Sequence, residues 1–467
     1  MLRIFRHYLS ASALCLFACE SGAVILVLFA ALNMLHIPDL ASGTGMGRSL
    51  SVVFVPSALN AFVMYSTGLY DRWMMEDFRK ALPRLIAVFA FFTLVVILTM
   101  SAALTRSTST SSVDALTYAS VAATAFGVVV LARMSYGSIN KATLPARRVL
   151  VVGVGKQAAE IEYLMSQRRH GTSEVVGYTV LANEDAEIPQ SRIKPIRTSL
   201  LALARELGVK EIVVALTDRR GVPLQPLLEA RMEGIAITSY LSYCERETRR
   251  VNLQALDPSW LIYSDGFRIG TLANVVLKRA LDIAMSLAVL ILTLPTMILA
   301  AIAVRLDSPG PILYRQERVG RNGVPFTIYK FRTMRMDAEG DGIPQWAAPC
   351  DPRITRVGSL LRMTRIDELP QILNVLRGDM SFVGPRPERP FFVESLSADI
   401  PFYSERHRVR PGITGWAQIN FVYGASIEDA KVKLAYDLYY IKNYSFVFDL
   451  LIILSTFEAV FFKKGAR

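Results

Sequence analysis

Cysteine, histidine and charged residues are all scarce in this 467-residue chain. The four cysteines form no Cys-x-x-Cys pair and have no histidine-rich neighbourhood, which argues against both a disulfide framework and a zinc site. Charged residues make up only 20% of the chain and hydrophobic residues 52%, with a mean hydropathy of +0.34. Soluble domains are rarely so apolar, so part of the chain is expected to lie in lipid.

Length and net charge narrow the classes of protein further. A chain of this length exceeds one typical domain, so two or three domains are expected. The formal net charge is +12. In a membrane protein, such a balance is more typical of cytoplasmic loops, anionic lipid and anionic substrates than of nucleic acid. We therefore predict membrane lipid, and no nucleic acid, among the partners.

Residues 1–140 are predicted to form a module of four membrane helices. Each apolar run is close to the ~20 residues that a helix needs to cross the hydrocarbon core. The segments that flank successive runs contain 2, 1, 4, 1 and 4 lysines and arginines. The positive-inside rule therefore places the amino terminus and everything after residue 133 in the cytoplasm. The runs cover about 11–35, 50–70, 85–104 and 115–132.

Glu20 lies inside the first apolar run, where a carboxylate is energetically costly and is a candidate functional residue. The alternative is a residue that faces the helix bundle and bonds to a neighbouring helix. The sequence leaves both interpretations open.

Residues 146–262 alternate between short apolar segments and helical patterns, which predicts a Rossmann-like parallel sheet covered by helices. Gly153, Gly155 and Ala158 satisfy the Gly-x-Gly-x-x-Ala pattern that places a pyrophosphate on a helix amino terminus. The second strand, however, ends without the acid that binds ribose. The domain either binds a nucleotide or serves packing, dimerisation or regulation. The charged segment from Glu245 to Val251, followed by Asp257 to Ile262, is predicted to be a solvated or membrane-facing linker.

A fifth apolar stretch, residues 275–304, opens the last part of the chain. Pro295 lacks an N–H and lies within this stretch, so a bend is expected there. On physical grounds alone, a spanning helix and a re-entrant helix fit equally well. Near the carboxy terminus, tyrosines and lysines between 431 and 444 predict an aromatic, basic helix at the membrane interface.

Polar motifs rich in arginine lie between the apolar stretch 275–304 and this carboxy-terminal helix. Asp367 and Glu368 are adjacent, and Gly384-Pro385-Arg386 and Arg410-Pro411-Gly412 are predicted to be rigid loops. An isolated Asp-Glu pair is most often a helix amino terminus, but flanking arginines favour a functional site here. The candidate substrate-binding residues are Lys330, Arg332, Arg353, Arg362, Arg365, Pro385, Arg386 and Arg410.

Fixed cations around two acids, in a chain with few histidines, indicate phosphoryl transfer. Arginine and lysine neutralise phosphate oxygens, and arginine binds them in a fork geometry. A carboxylate is then available as the nucleophile that forms an acyl phosphate. A divalent ion is expected to share the charge of the phosphates, and Mg²⁺ is the predicted one. Mg²⁺ prefers carboxylate and phosphate oxygens, so Asp367 and Glu368 are also the predicted metal ligands. The loop from Glu339 to Cys350 is a candidate lid.

Residues from about 275 to 464 resemble the bacterial sugar transferase family, the monotopic polyprenyl-phosphate hexose-1-phosphate transferases. Four motifs match the family in order and spacing: Lys330-Phe331-Arg332, Asp367-Glu368-Leu369-Pro370-Gln371, Gly384-Pro385-Arg386-Pro387 and Pro411-Gly412-Ile413-Thr414-Gly415-Trp416. With the membrane module and middle domain ahead, the chain resembles the large subclass that includes undecaprenyl-phosphate glucose and galactose phosphotransferases. The segment from Glu245 to Phe267 further resembles the exosortase-associated exopolysaccharide branch.

The resemblance implies a specific architecture in the bacterial inner membrane. It consists of a membrane α-helical amino-terminal module, the Rossmann-like α/β domain, and a mainly α monotopic catalytic domain, residues 270–467, on the cytoplasmic face. The helix 275–304 would be re-entrant and broken at Pro295, although many members have Ser-Pro where this chain has Leu294-Pro295. A homodimer is also expected.

The resemblance also implies the reaction and the roles of individual residues. Asp367 would attack the sugar-linked phosphate of a UDP-hexose and expel UMP, and undecaprenyl phosphate would then accept the phosphosugar. Glu368 would bind Mg²⁺ or assist the attack. Arg362 and Arg386 match family positions associated with substrate phosphate or uridine recognition. The product would start an exopolysaccharide, capsule or O-antigen, with UDP-glucose slightly favoured as donor.

Two rival functions make different demands on the sequence. A membrane nucleotide-sugar epimerase or dehydratase shares the amino-terminal plan but needs a Tyr-x-x-x-Lys pair, and no tyrosine here has a lysine four residues later. A catalytically dead scaffold for polysaccharide assembly would be expected to lose Asp367 or its arginines, and the chain retains them.

Overall fold

The chain forms two compact units, one made of Met1–Ile139 with Asp265–Arg467 and the other of Asn140–Ser264. The computed structural model describes residues 2–4, 7–9, 11–34, 46–70, 74, 78–104, 115–143, 147–166, 173–181, 185–216, 224–267, 272–335, 353–421, 424 and 426–461. The candidate lid from Glu339 to Cys350 lies outside these residues.

Four apolar helices follow a short antiparallel hairpin of β1 (Leu2–Ile4) and β2 (His7–Leu9). This confirms the four predicted amino-terminal helices. Three of them contain apolar runs long enough to cross a bilayer, namely Ala13–Ala31, Ala81–Thr99 and Ala119–Tyr136. The helices are α1 (Ala11–Met34), α2 (Met46–Ser66), α3 (Phe78–Leu104) and α4 (Ala115–Thr143).

Glu20 of α1 is fully buried and forms an ion pair with Arg133 of α4, with 2.7 Å between Glu20 Oε1 and Arg133 Nε. The Tyr70 hydroxyl donates a 2.7 Å hydrogen bond to the other carboxylate oxygen. Arg133 also donates to the carbonyl of Leu69 at 3.0 Å. Because a buried charge must be paired, these bonds make Glu20 a bundle-facing residue that joins helices, the second of the two interpretations above.

The second unit contains a four-stranded parallel sheet in the order β4-β3-β5-β6. Alternate residues of β3 enter two separate cores, with Val149 and Val151 on one face and Leu150 and Val152 on the other. Burial on both faces is typical of a parallel sheet and explains the continuous apolar runs in its strands. The strands are β3 (Arg147–Val152), β4 (Ser173–Thr179), β5 (Glu211–Val214) and β6 (Ala236–Ser239). The helices are α5 (Lys156–Ser166), α6 (Leu200–Glu206), α7 (Leu224–Met232), α8 (Tyr240–Thr248) and α9 (Pro258–Tyr263).

The prediction that Glu245–Val251 forms a solvated linker is wrong. Most of the segment belongs to α8, and Glu245 and Glu247 are buried. Arg246 forms a two-pronged ion pair with the fully buried Glu211, at 2.8 and 3.0 Å. Arg246 and Glu247 therefore take part in internal ion pairs of this unit.

The last part of the chain begins with one long helix, α10 (Leu272–Asp307), which contains Pro295. An antiparallel hairpin of β7 (Leu313–Val319) and β8 (Pro325–Phe331) follows. β9 (Ser381–Val383) and β10 (Gly412–Thr414) pair in parallel. The remaining α-helices are α11 (Arg356–Thr364), α12 (Ile372–Arg377), α13 (Pro390–Asp399), α14 (Trp416–Asn420), α15 (Ile427–Lys442) and α16 (Phe446–Phe461).

The predicted interfacial helix is partly wrong. Tyr439 and Tyr440 of α15 are fully buried, and Tyr439 packs against Trp416 and Phe448. Lys442 is also buried. These side chains therefore build the interior of the domain.

Candidate active site

Asp367 and Glu368 lie in a short 3-10 helix, Ile366–Gln371, which follows α11 directly. Between the two helices Arg365 has a left-handed backbone conformation, with φ of 60°, which ends α11 and turns the chain. Both acids lie in the first turn of the 3-10 helix, so the local position expected of a structural Asp-Glu pair is present as well. The surroundings of the two side chains distinguish this pair from a purely structural one.

The Glu368 carboxylate is held by two cations from distant parts of the chain. Lys330 Nζ of β8 lies 2.9 Å from Glu368 Oε1, and an Nη of Arg386 lies 2.5 Å from the same oxygen. Burial opposes ionisation of Glu368, but Arg386 and Lys330 outweigh it and hold the pKa of Glu368 well below its usual range. Glu368 is therefore a permanent anion that fixes two cations beside Asp367.

Asp367 is buried, with 7% of its surface exposed, but it is not held in the same way. Its Oδ1 atom receives no hydrogen bond from the part of the chain that the structure describes. Burial raises the pKa of Asp367, and the neighbouring Glu368 charge raises it further, against the opposing effect of Lys330 and Arg362. A desolvated carboxylate oxygen without a protein partner is available for chemistry.

The two predicted Pro-Arg loops contact each other next to the parallel pair of β9 and β10. The N–H of Gly412 donates to the carbonyl of Pro385 at 2.9 Å, and that of Gly384 donates to Thr414 at 2.9 Å. A Cβ on Gly384 would come within 2.3 Å of the Arg410 carbonyl oxygen, so glycine is required for this approach. The backbone that carries Arg386 toward Glu368 is thus built from both loops.

Of the other predicted binding residues, Arg362 acts on Asp367 through its charge. Its Nε donates a 2.8 Å hydrogen bond to Thr333 Oγ1, and its charge lowers the pKa of Asp367. Arg332 points elsewhere: its guanidinium is buried and bonds to the carbonyls of Ser308 and Pro309 at 2.7 and 2.9 Å, just after α10.

Arg353, Arg365 and Arg410 are the three remaining predicted cations. The carbonyl of Arg353 accepts a 3.0 Å hydrogen bond from the N–H of Arg335. Arg365 is exposed at its left-handed turn, and Arg410 supplies the carbonyl that approaches Gly384. The structure therefore brings together Lys330, Arg362, Asp367, Glu368 and Arg386.

The part of the chain that contains this cluster is similar to known proteins. The family model described as "Bacterial sugar transferase" matches residues 273–463, the segment that contains the cluster. Over 192 residues, the chain is 45% identical to "Exopolysaccharide production protein PSS" of Rhizobium leguminosarum bv. phaseoli, covering 39% of this chain and 94% of that protein. The chain belongs to the bacterial sugar transferase family.

Two further relatives are named for their activities. The chain is 47% identical over 191 residues to the UDP-N-acetylgalactosamine-undecaprenyl-phosphate N-acetylgalactosaminephosphotransferase of Aeromonas hydrophila, covering 41% of this chain and 45% of that protein. It is 44% identical over 195 residues to the UDP-glucose:undecaprenyl-phosphate glucose-1-phosphate transferase of Escherichia coli (strain K12), covering 41% of this chain and 42% of that protein. The match thus spans less than half the length of these two relatives.

Proposed function

We propose that this chain transfers a hexose 1-phosphate from a UDP-hexose to undecaprenyl phosphate, releases UMP and starts an exopolysaccharide, capsule or O-antigen. The supporting observation is the unequal pair of adjacent acids. Glu368 is locked between Lys330 and Arg386, while the buried Asp367 has a carboxylate oxygen that receives no hydrogen bond from the described residues. The activities for which the two relatives above are named support the same substrate classes.

The proposed reaction has two steps, and the phosphosugar is transferred first to Asp367 and then to the lipid. A carboxylate oxygen of Asp367 forms a bond to the sugar-linked phosphorus, and the bond from that phosphorus to UMP breaks. An oxygen of the lipid phosphate then attacks the same phosphorus and releases the Asp367 carboxylate. Lys330 and Arg386, which pair with Glu368 beside Asp367, would neutralise phosphate charge during both steps. Because the nucleophile must be ionised, its raised pKa sets the acid limit of activity.

Mg²⁺ is the proposed cofactor, and the donor set fits it in part. Asp367 Oδ1 is free of hydrogen bonds from the described residues, and Mg²⁺ commonly uses one or two carboxylates together with substrate phosphates. No group of three or more potential metal ligands occurs among the described residues. Asp367 and Glu368 would hold the ion, which would share the diphosphate charge when bound.

A re-entrant α10 in the bacterial inner membrane, with the catalytic part in the cytoplasm, is the proposed topology. Near its start, Arg279 donates to the carbonyl of Val375 at 2.6 Å. Near its end, Val304 packs with Phe331 and Leu361. Between these contacts, apolar side chains such as Leu292, which is 81% exposed, are left uncovered by the described residues. Contact of both ends with one domain favours entry and exit on the same face, with Pro295 available for a bend.

The parallel-sheet unit is proposed to be Rossmann-like and to serve packing, dimerisation or regulation, with a homodimer as the functional form. Its Gly153–Gly155 segment is buried, and the Val154 carbonyl accepts a 2.8 Å hydrogen bond from the N–H of Glu187. That internal bond supports a packing role for the glycine turn.

Donor profiling tests the proposed function directly. Purified full-length protein with undecaprenyl phosphate and Mg²⁺ should release UMP from UDP-hexoses, with UDP-glucose slightly ahead of UDP-galactose. The N-acetyl forms belong in the same panel because one relative is named for N-acetylgalactosamine. Preferential turnover of a GDP- or dTDP-sugar would contradict the proposal.

Cysteine accessibility tests the re-entrant topology. Single cysteines at Leu272 and Leu306, both about four-fifths exposed, are introduced after the four native cysteines are replaced with serine. Both should be shielded from an impermeant thiol reagent in intact cells and labelled after permeabilisation. A cysteine at Ser107, in a predicted periplasmic loop, is the labelling control. Labelling at position 306 alone in intact cells would establish a spanning helix.

A further inference from the structure

Arg406 is a buried arginine that the sequence motifs did not single out. It lies in a 3-10 helix, Tyr403–Arg408, and its side chain is only 6% exposed. Its guanidinium lies 2.9 Å from Oδ2 of Asp437 in α15, and that carboxylate is 2% exposed. It also donates a 2.9 Å hydrogen bond to the Tyr403 hydroxyl. A buried ion pair of this kind is costly to desolvate, so its further contacts matter.

One of those contacts reaches the candidate active site. Arg406 Nη2 donates a 2.9 Å hydrogen bond to the backbone carbonyl of Arg386. The side chain of that same Arg386 bonds to Glu368 at 2.5 Å. The guanidinium of Arg406 thus connects α15, through Asp437, to the backbone from which the Arg386 side chain extends.

We propose that Arg406 and Asp437 are a positioning pair for Arg386. Asp437 orients the Arg406 guanidinium, and Arg406 holds the carbonyl of Arg386, so that the Arg386 side chain is directed at Glu368 and at the donor phosphates. This inference rests on the proposed function in one respect, because the proposed function identifies the donor as a UDP-hexose. Arg406 touches no reacting atom, so it acts entirely through Arg386.

The shape of the guanidinium explains why arginine is needed at position 406. Its planar fork bonds a carboxylate, a carbonyl and a phenol at once, in fixed directions. A lysine keeps the charge but is a single point donor, so it can pair with Asp437 without holding the carbonyl of Arg386.

A double-mutant cycle between Arg406→Lys and Arg386→Lys tests the proposal. Arg406→Lys should raise the KM for the UDP-hexose about tenfold, while kcat falls less. In the Arg386→Lys background, the same substitution should raise KM by less than about threefold, because the group it positions is already gone. Asp437→Asn should change KM in the same direction.

The same double-mutant cycle can be measured as the Kd for UDP, by calorimetry on the full-length proteins. This measurement needs no turnover, so it also applies to a variant that is inactive. The donor assay on the wild-type protein tests the proposed function separately. Tyr403→Phe, which keeps the ion pair, is the milder variant if Arg406→Lys fails to fold. It should raise the Kd for UDP less than Asp437→Asn does.

A matched control is available in the Arg246–Glu211 ion pair, which is also buried but belongs to the parallel-sheet unit. Arg246→Lys should lower the melting temperature and leave the Kd for UDP unchanged. Equal effects of Arg406→Lys with and without the Arg386 substitution would overturn the proposal. A Kd for UDP equal to that of the wild-type protein, in either Arg406→Lys or Asp437→Asn, would also overturn the proposal.

Discussion

Asp367→Asn is expected to lower UMP release by at least about a thousandfold, including in the first half-reaction without lipid acceptor. Asparagine has nearly the shape of aspartate but lacks the anionic oxygen that would attack phosphorus. The site is already desolvated, so the substitution should cost little stability. Wild-type protein given radiolabelled UDP-sugar and Mg²⁺, without undecaprenyl phosphate, should retain label on a peptide that contains Asp367.

Asp399→Asn is the control for this experiment, because Asp399 is an exposed residue at the end of α13. It should keep wild-type turnover. Robust activity of Asp367→Asn would rule out the covalent step and leave direct attack by the lipid phosphate, with the acids acting only on the metal.

Glu368→Gln is expected to lower turnover by about a hundredfold or more. The neutral amide leaves Lys330 and Arg386 as buried cations without their counter-ion, which is destabilising and releases both side chains from fixed positions. The substitution should also lower the pKa of Asp367, since the Glu368 charge raises it and the released cations lower it.

The pH dependence of the residual activity separates these effects. After burial, Glu368 is the main cause of the raised pKa of Asp367, so the acid limb of kcat/KM in Glu368→Gln should move to lower pH. Glu394→Gln, an exposed change on α13, should leave both the rate and the acid limb unchanged. An acid limb that moves to higher pH, or does not move, would contradict Asp367 as the group that must ionise.

The membrane helices and the main motif residues were predictable because their signals are local. A run of about twenty apolar residues implies a helix in lipid whatever lies beside it, and all four amino-terminal runs are helical. The start of α11 is equally local, because Thr355 caps the helix by accepting a hydrogen bond from the Gly358 N–H.

The partners of charged and aromatic side chains were not predictable, because they come from residues far along the chain. The charged segment around Arg246 was predicted to be solvated, but its ion pair with Glu211, 35 residues away, buries it. Tyr440 was predicted to lie at the membrane interface, but it bonds to the carbonyl of Val383, 57 residues away. The composition of a segment shows that its side chains are polar, but it does not show which residues they contact in the folded protein.

By itself, the sequence determined that this chain enters the membrane, contains a parallel-sheet unit and presents an Asp-Glu pair among arginines. Only the tertiary structure decided which of the two acids is restrained and which arginines surround it. That outcome depends on β8, the Arg386 loop and the 3-10 helix meeting at one place. Glu368 is restrained because Lys330 and Arg386 converge on one of its oxygens, and Asp367 keeps an unbonded oxygen because no described side chain reaches it.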